Sequence, residues 1–347
     1  MQLSDYDYDL PESAIAIHPP KERGSSRLLV LDKQTGSIVD DVYKNLSQQL
    51  QSGDVLVLNN TKVLPARLLA KTETDEEREL LLLEKHGQGS DHHTSLVMYR
   101  RKIRPGQQLH IGGSTVAVEE VFQNGTAKIS SEHDLWQLAE EQGEVPLPPY
   151  MHRREEADDR ERYQTVFARE RGSVAAPTAS LNMTPALLET IRSKGVEVVE
   201  LTLHVGLGTF MPIRVDDVTK HKMHQEYFEV PVVTAQAIAR AKQSGRRVIA
   251  VGTTVTRTLE YAAADIMAVA EIDRAQPIHG EADIFIYPGY EFKVVDGLLT
   301  NYHAPKSTVL MMAAAFADWE HLKAAYEHAL AENYAFLSYG DSMLIIE

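Results

Sequence analysis

The 347-residue sequence contains no cysteine, which removes disulfides, thiolate nucleophiles, zinc ribbons and iron–sulfur clusters at once. It is also short of positive charge, with 35 Lys and Arg against 50 Asp and Glu and a net charge of −15. Bulk attraction to nucleic acid is therefore disfavoured, and any basic surface has to be local. Long apolar runs are missing as well. The longest, Val309 to Ala317, is far below the roughly 18–20 residues that span a bilayer. The N-terminus carries three Asp and no Lys or Arg in its first ten residues, so neither a secretion signal nor a membrane span is expected and the protein is expected in the cytoplasm. What remains is ordinary: 43% apolar and 24% charged residues, at a length that implies two domains or one large domain with an insertion.

The patterning supports the second arrangement. Arg27–Asp32 and Gly53–Leu58 are short apolar runs bounded by Gly, Asp and Asn, which predict buried strands. From Pro65 to Val145 the runs become short and often alternating: Glu79–Glu84, Gln108–Ile111, Thr115–Val121 and Thr126–Ile129. Glycine breaks at Gly87, Gly112 and Gly125 separate them, which predicts a small barrel. Pro146-Leu-Pro-Pro-Tyr150 forms a hinge, and the charged run Arg153–Arg162 predicts a solvated loop or helix face. Beyond residue 170, helix and strand alternate. Helices are predicted at Ala186–Lys194 behind Thr184-Pro185, Thr234–Ser244, Arg257–Ala264, Ser307–Phe316 and Trp319–Asn333. Strands are predicted at Val196–Leu203, Arg247–Val251, Asp283–Tyr287 and Phe292–Val295. There is no internal repeat.

Several motifs carry chemistry. Gly206-Leu-Gly208-Thr209-Phe210 follows a strand and lets backbone N–H groups approach an anion, although a tight turn explains the same glycines. Gly252-Thr253-Thr254 opens a helix, where unsatisfied N–H groups favour a carboxylate or phosphate; hydroxyl capping is the plainer reading. His221 and His224 are spaced to share a helix face, and with His204 and His303 are candidates for a metal site, with base or hydrogen-bonding roles preferred. Arg100, Arg101, Lys102 and Arg104 form the densest basic cluster and suit RNA phosphates, or equally a strand edge guarded by charge. Gly172-Ser-Val-Ala-Ala-Pro-Thr-Ala179 is small and uncharged between charged segments, so its backbone can line a ligand closely.

On these and further strings the chain resembles the S-adenosylmethionine:tRNA ribosyltransferase-isomerase family. The strings include Tyr8-Asp-Leu-Pro11, Asn59-Asn-Thr61, Arg162-Tyr-Gln-Thr165, Thr202 to Phe210, Met223-His-Gln-Glu226, Val248 to Thr254, Thr300-Asn-Tyr-His303 and Ser338-Tyr-Gly-Asp341. They run in family order from end to end. The resemblance implies an α/β fold: a discontinuous α/β layered domain, 1–64 plus 146–347, with an inserted small β-barrel domain, 65–145. It implies a reaction that moves the ribosyl part of S-adenosylmethionine onto the queuosine precursor base in tRNA, without metal or membrane, by a monomer.

That chemistry requires proton transfer beside a sulfonium, donors for a carboxylate and a cationic face for RNA. The catalytic candidates are His204, His224, Glu226 and His303. The candidates for holding S-adenosylmethionine are Pro177, Thr178, Gly206, Gly208, Thr209, Gly252, Thr253 and Asn301, and Arg100, Arg101, Lys102 and Arg104 are those for RNA. The chain departs from the family pattern at Asn182, where the family carries a histidine, and at Met183, Met211 and Tyr99. An amide cannot carry a proton near neutral pH. The departures set an alternative beside the main expectation: a paralogue with a changed substrate, or a tRNA-binding protein without catalysis.

Overall fold

The computed structural model describes residues 1–83, 92–206, 213, 215–269 and 275–347. In chain order the strands are β1 (Arg27–Asp32), β2 (Ile38–Val42), β3 (Val55–Asn59), β4 (Thr61–Val63), β5 (Arg67–Lys71) and β6 (Glu77–Leu82). Next come β7 (Thr94–Arg100), β8 (Gln108–Ile111), β9 (Ser114–Val121), β10 (Thr126–Ser131), β11 (Glu170–Ser173) and β12 (Glu197–Leu203). The last five are β13 (Glu226–Val230), β14 (Val248–Val251), β15 (Ile278–Ala282), β16 (Gly297–Asn301) and β17 (Ser342–Ile346).

Among the described residues, nine strands form one sheet in the order β15-β13-β12-β3-β14-β16-β17-β1-β2. Its centre, β12, β3, β14 and β16, is parallel, and β17 turns the direction over against β16. β3 and β14 are buried at every position because helices cover both faces. Val55 and Val57 alternate toward one core with Leu201 and Val248, while Leu56 and Leu58 face the other with Ile249 and Leu299. Each such aliphatic side chain contributes about 1.5–3 kcal/mol by leaving water. The helix Pro185–Ser193 starts as predicted, with the Thr184 hydroxyl accepting from Leu187 N–H at 3.1 Å and Pro185 in the first turn.

The inserted unit is a closed barrel in the order β10-β7-β6-β5-β8-β9. Its entry and exit are pinned together, since the Arg67 and Glu144 backbones exchange hydrogen bonds of 3.1 and 2.8 Å. Gly143 is obligatory there: a Cβ would stand 1.9 Å from the Pro65 carbonyl oxygen. The barrel strands β5 and β7 escaped the sequence reading. Leu68, Ala70, Val97, Ile111 and Val116 fill the interior.

Two expected strands are absent. Asp283–Tyr287 and Phe292–Val295 pair with nothing; the strands of this region are β15 and β16 on either side. The buried Glu260 carboxylate accepts the N–H groups of Lys293, Val294 and Val295 at 2.8–3.0 Å, three of the four that the segment would give to a ladder. The alternating aromatics pack on one another instead, Phe285 against Tyr287 and Phe292 against Phe316. Among the described residues, no helix is long and apolar enough to cross a membrane.

Candidate active site

Because β12, β3, β14 and β16 run parallel, their C-terminal ends share one edge of the sheet, where α/β folds bind ligands. The chain leaves them at His204, Asn60, Gly252 and Tyr302. The small-residue stretch 173–180 crosses this edge. Ser173 Oγ accepts Val205 N–H at 2.9 Å, and Val174 N–H reaches the Val205 carbonyl at 3.0 Å. Pro177 is buried and Thr178 half-buried at the start of a short turn over the edge. A Cβ on Gly252 would lie 3.4 Å from that of Ala179, an ordinary contact, so it is the positive φ of 95° and not lack of space that favours glycine there.

Asn59 organises the edge. Fully buried, its Oδ1 accepts the N–H groups of Thr61 and Leu203, both at 3.1 Å. Its Nδ2 donates to the Leu203 carbonyl at 3.0 Å and to Thr254 Oγ1 at 3.2 Å. One amide thus ties the residue before His204 to the first turn of the helix Thr253–Tyr261. That helix begins at Gly252 with a positive φ of 95°, and among the described residues no side chain caps it. Gly252's own N–H is bound by Leu299 at 2.8 Å, so the donors that can meet an anion are those of the first turn, beginning with Thr253.

His204 is buried, its Nδ1 2.8 Å from Thr61 Oγ1 and its ring stacked on Tyr227 at 5.9 Å. Among the described residues, the Glu226 carboxylate engages no imidazole. One oxygen pairs with Arg257 and the other accepts Gly206 N–H at 3.1 Å. Arg257 also donates to the Ala282 carbonyl at 3.2 Å, so the pair joins β13, β15 and the helix to the start of the glycine loop. Gly208, Thr209 and Met211 lie outside the described residues. His221 and His224 share no helix face: His221 ends a short turn and packs edge-on against Phe285, and His224 is in non-helical backbone before β13. Consecutive residues here follow Asp217 and Val218 into a turn of three, too short to align side chains three apart.

His303 stands on the far side. Its Nε2 lies 2.8 Å from Thr300 Oγ1, its N–H donates to Tyr326 Oη at 2.9 Å, and Tyr8 Oη donates to its carbonyl. Two strands separate the ends of β12 and β16, about 14 Å at ordinary strand spacing, so His204 and His303 flank the edge and do not meet. The Asn301 amide donates to the Asp341 carbonyl at 3.3 Å, bracing β16 on β17. Burial lowers the His303 pKa to about 4, so the ring is neutral at pH 7. The unfolded chain binds a proton there below its ordinary value of about 6.5 while the folded chain does not. Stability therefore falls as pH drops from about 6.5 toward 4, by up to roughly 3 kcal/mol. Urea titrations at pH 7 and pH 4.5 should show this loss, and His303→Gln should shrink it.

The basic cluster lies at the barrel rim, in a barrel that has no open edge to guard. Arg100, Arg101, Lys102 and Arg104 are exposed around the buried Ile103. Arg100 is 3.8 Å from Glu79, and Arg101 donates to the Glu77 carbonyl at 3.4 Å. Glu79 thus offsets part of the charge of Arg100, and the Glu77 carboxylate is taken by Arg154.

Comparison with known proteins agrees with this architecture. The family described as queuosine biosynthesis protein matches residues 3–345. The chain belongs to that family. An S-adenosylmethionine:tRNA ribosyltransferase-isomerase of Chlorobium chlorochromatii is 53% identical over 350 residues, covering 99% of this chain and 100% of that one. The protein of the same name from Chlorobaculum parvum is also 53% identical, with the same coverage. The crystal structure of an S-adenosylmethionine tRNA ribosyltransferase from Thermotoga maritima is 32% identical, covers 99% of this chain and superposes with a TM-score of 0.55.

Within this family the departure at Asn182 has a structural account. Its Oδ1 accepts from Ser26 Oγ at 2.8 Å and its Nδ2 donates to the Gly340 carbonyl at 3.2 Å, at 4% exposure. The amide clamps the segments leading into β1 and β17. With full-length relatives named as the enzyme, the paralogue and non-catalytic alternatives are not favoured. Three residues that the sequence reading did not single out prove central to the geometry: Asn59, Thr61 and Arg257. The first two sit in the quoted Asn-Asn-Thr string. The signal for Arg257 was a cation set among Thr, Val and Leu on a short helix whose one other charge is Glu260.

Proposed function

We propose that this chain transfers and isomerises the ribosyl moiety of S-adenosylmethionine onto the aminomethyl-deazaguanine base at the tRNA wobble position. The product is epoxyqueuosine-tRNA, and adenine and methionine leave. The observation that carries the assignment of the site is the Asn59 amide, which links the His204 strand end to the uncapped helix start at Gly252. A sulfonium acidifies the adjacent C–H, and a base must stand on one side of it with anion donors for the methionine carboxylate on the other.

His204 is the base in this reading. Thr61 sets the ring orientation through Nδ1, turning Nε2 to the opposite side. The first-turn N–H groups from Thr253 receive the carboxylate, where the helix dipole adds to the hydrogen bonds. Glu226 is a positioning residue that fixes Gly206 with Arg257 behind it. His303, neutral at pH 7, is suited to hydrogen bonding and poorly suited to protonating departing adenine. Pro177 and Thr178 form the roof. His224, half-buried beside His221, is a secondary candidate for proton transfer. Residues 65–145 form the inserted domain, with Arg100, Arg101, Lys102 and Arg104 available to RNA. The protein works as a monomer in the cytoplasm, where its tRNA is.

Ribose-labelled S-adenosylmethionine tests the reading. Label should enter tRNA bearing the precursor base and not tRNA lacking it; label entering neither would overturn it.

A further inference from the structure

Beside β4 and the segment 160–168 lies a surface groove of about 420 Å³, lined among others by Arg23, Lys62, Arg160, Glu161, Gln164 and Thr165. Its charge is compensated in an unusual way. The Arg23 guanidinium is held by carbonyl oxygens, those of Gln164 at 2.9 Å, Leu181 at 2.8 Å and Glu161 at 3.2 Å. Arg162, next to it, donates to the Pro20 carbonyl at 2.6 Å and leaves a buried Nε without a hydrogen-bond partner. Among the described residues, neither guanidinium forms a salt bridge with a carboxylate, and nor does Lys62, whereas Arg160 pairs with Glu155 at 2.6 Å. Burial first and Arg162 second hold the Arg23 pKa below its ordinary value, as expected where cations crowd together. Thr165, 6% exposed, adds a buried hydroxyl with no partner.

A chain with a net charge of −15 that gathers Arg23, Lys62, Arg160 and Arg162 here, against Glu161 and a Glu155 already paired with Arg160, leaves an excess of positive charge suited to an anion. The placement says which anion. Lys62 follows Thr61, whose hydroxyl holds His204, and strand alternation turns the two side chains to opposite faces of β4. Gln164 clamps the same strand through both Val63 backbone groups at 3.1 and 2.8 Å. The groove therefore sits across one strand from the proposed base, at a surface position where a polymer can continue on both sides.

We infer that this groove is a phosphodiester site that grips the RNA backbone of the substrate and places its reacting nucleotide at the sheet edge. The inference rests on the tRNA reading above. In it Lys62 supplies the mobile charge and Arg23 and Arg162 the fixed positive potential.

The test measures binding of a tRNA transcript by fluorescence anisotropy between 50 and 200 mM salt. Lys62→Glu should weaken affinity at least tenfold and flatten the slope of log K against log salt by about one, and Lys62→Arg should stay within about twofold of wild type. Arg240→Glu, at the opposite end of the sheet beside Glu197, should bind as wild type and so excludes a general effect of net charge. S-adenosylmethionine binding by calorimetry should not change in Lys62→Glu. Wild-type affinity and slope in Lys62→Glu would overturn the inference, as would a parallel loss of S-adenosylmethionine binding, which would mark a site for a small anion. A wild type that binds tRNA through Lys62 yet releases no adenine would overturn the proposed reaction and leave the groove standing.

Discussion

His204→Ala should lower single-turnover adenine release by at least about a hundredfold, the usual contribution of a positioned base, while S-adenosylmethionine binding should change little. The ring is buried, bonded to Thr61 at 2.8 Å and stacked on Tyr227, so its orientation is set before any ligand arrives. Removing it strands the Thr61 hydroxyl in a buried place and costs about 1–3 kcal/mol of stability, which a melting curve separates from the rate effect. Thr61→Val is the companion variant. It keeps the shape and the ring but removes the orienting hydroxyl, and a rate loss of about tenfold with an unchanged Kd for S-adenosylmethionine is expected. Adenine release within twofold of wild type in His204→Ala would transfer the base role to another residue, His224 first.

Arg257→Met produces the largest expected loss of stability, about 3–5 kcal/mol, because it leaves the Glu226 carboxylate buried without its cation. The two side chains are only 8% and 3% exposed. Adding Glu226→Gln to Arg257→Met should recover part of the loss, since the uncompensated charge is what costs most and its removal lets the site accept an apolar neighbour. Chemical denaturation of the two single variants and the double variant measures the coupling. A double variant less stable than both singles would show that the pair acts through packing alone. Gly206 gives a second readout: Glu226→Leu, which keeps no acceptor, takes from the start of the glycine loop its anchor at 3.1 Å, and the KM for S-adenosylmethionine should rise, whereas Glu226→Gln still offers an oxygen to that N–H.

The legibility of this fold follows from where its hydrogen bonds are local. Strands such as Arg27–Asp32 and Gln108–Ile111, bounded by turn residues, stand in the structure where their residues predict them. The switch to barrel geometry at Pro65 is equally visible in alternation and glycine spacing. Phe292–Val295 was misleading because a distant carboxylate, Glu260, takes the N–H groups that an apolar run would give to a neighbour strand. Strand β5 was missed because Arg67 and Lys71 bracket only three apolar residues, and its place is fixed by barrel closure rather than by its own pattern.

The site divides in the same way. Gly252 and Thr253 are readable because a helix start has a local signature, and the structure places them on the sheet edge with His204. Asn59 and Thr61 act through partners more than 140 residues away, contacts that no local spacing encodes. Glu226, a catalytic candidate by its motif, holds an arginine and a backbone N–H in the structure, partners that no local spacing encodes. The net charge of −15, which argued against nucleic acid, is compatible with an RNA substrate once the cations around Lys62 and at the barrel rim are seen as separate local patches.

Single-turnover release of adenine from S-adenosylmethionine, compared with tRNA carrying the precursor base, with the same tRNA lacking it and with no tRNA, tests the central claim most directly. Stoichiometric adenine with the first and none with the other two is the predicted result. Equal release in all three, or none in any, would contradict it.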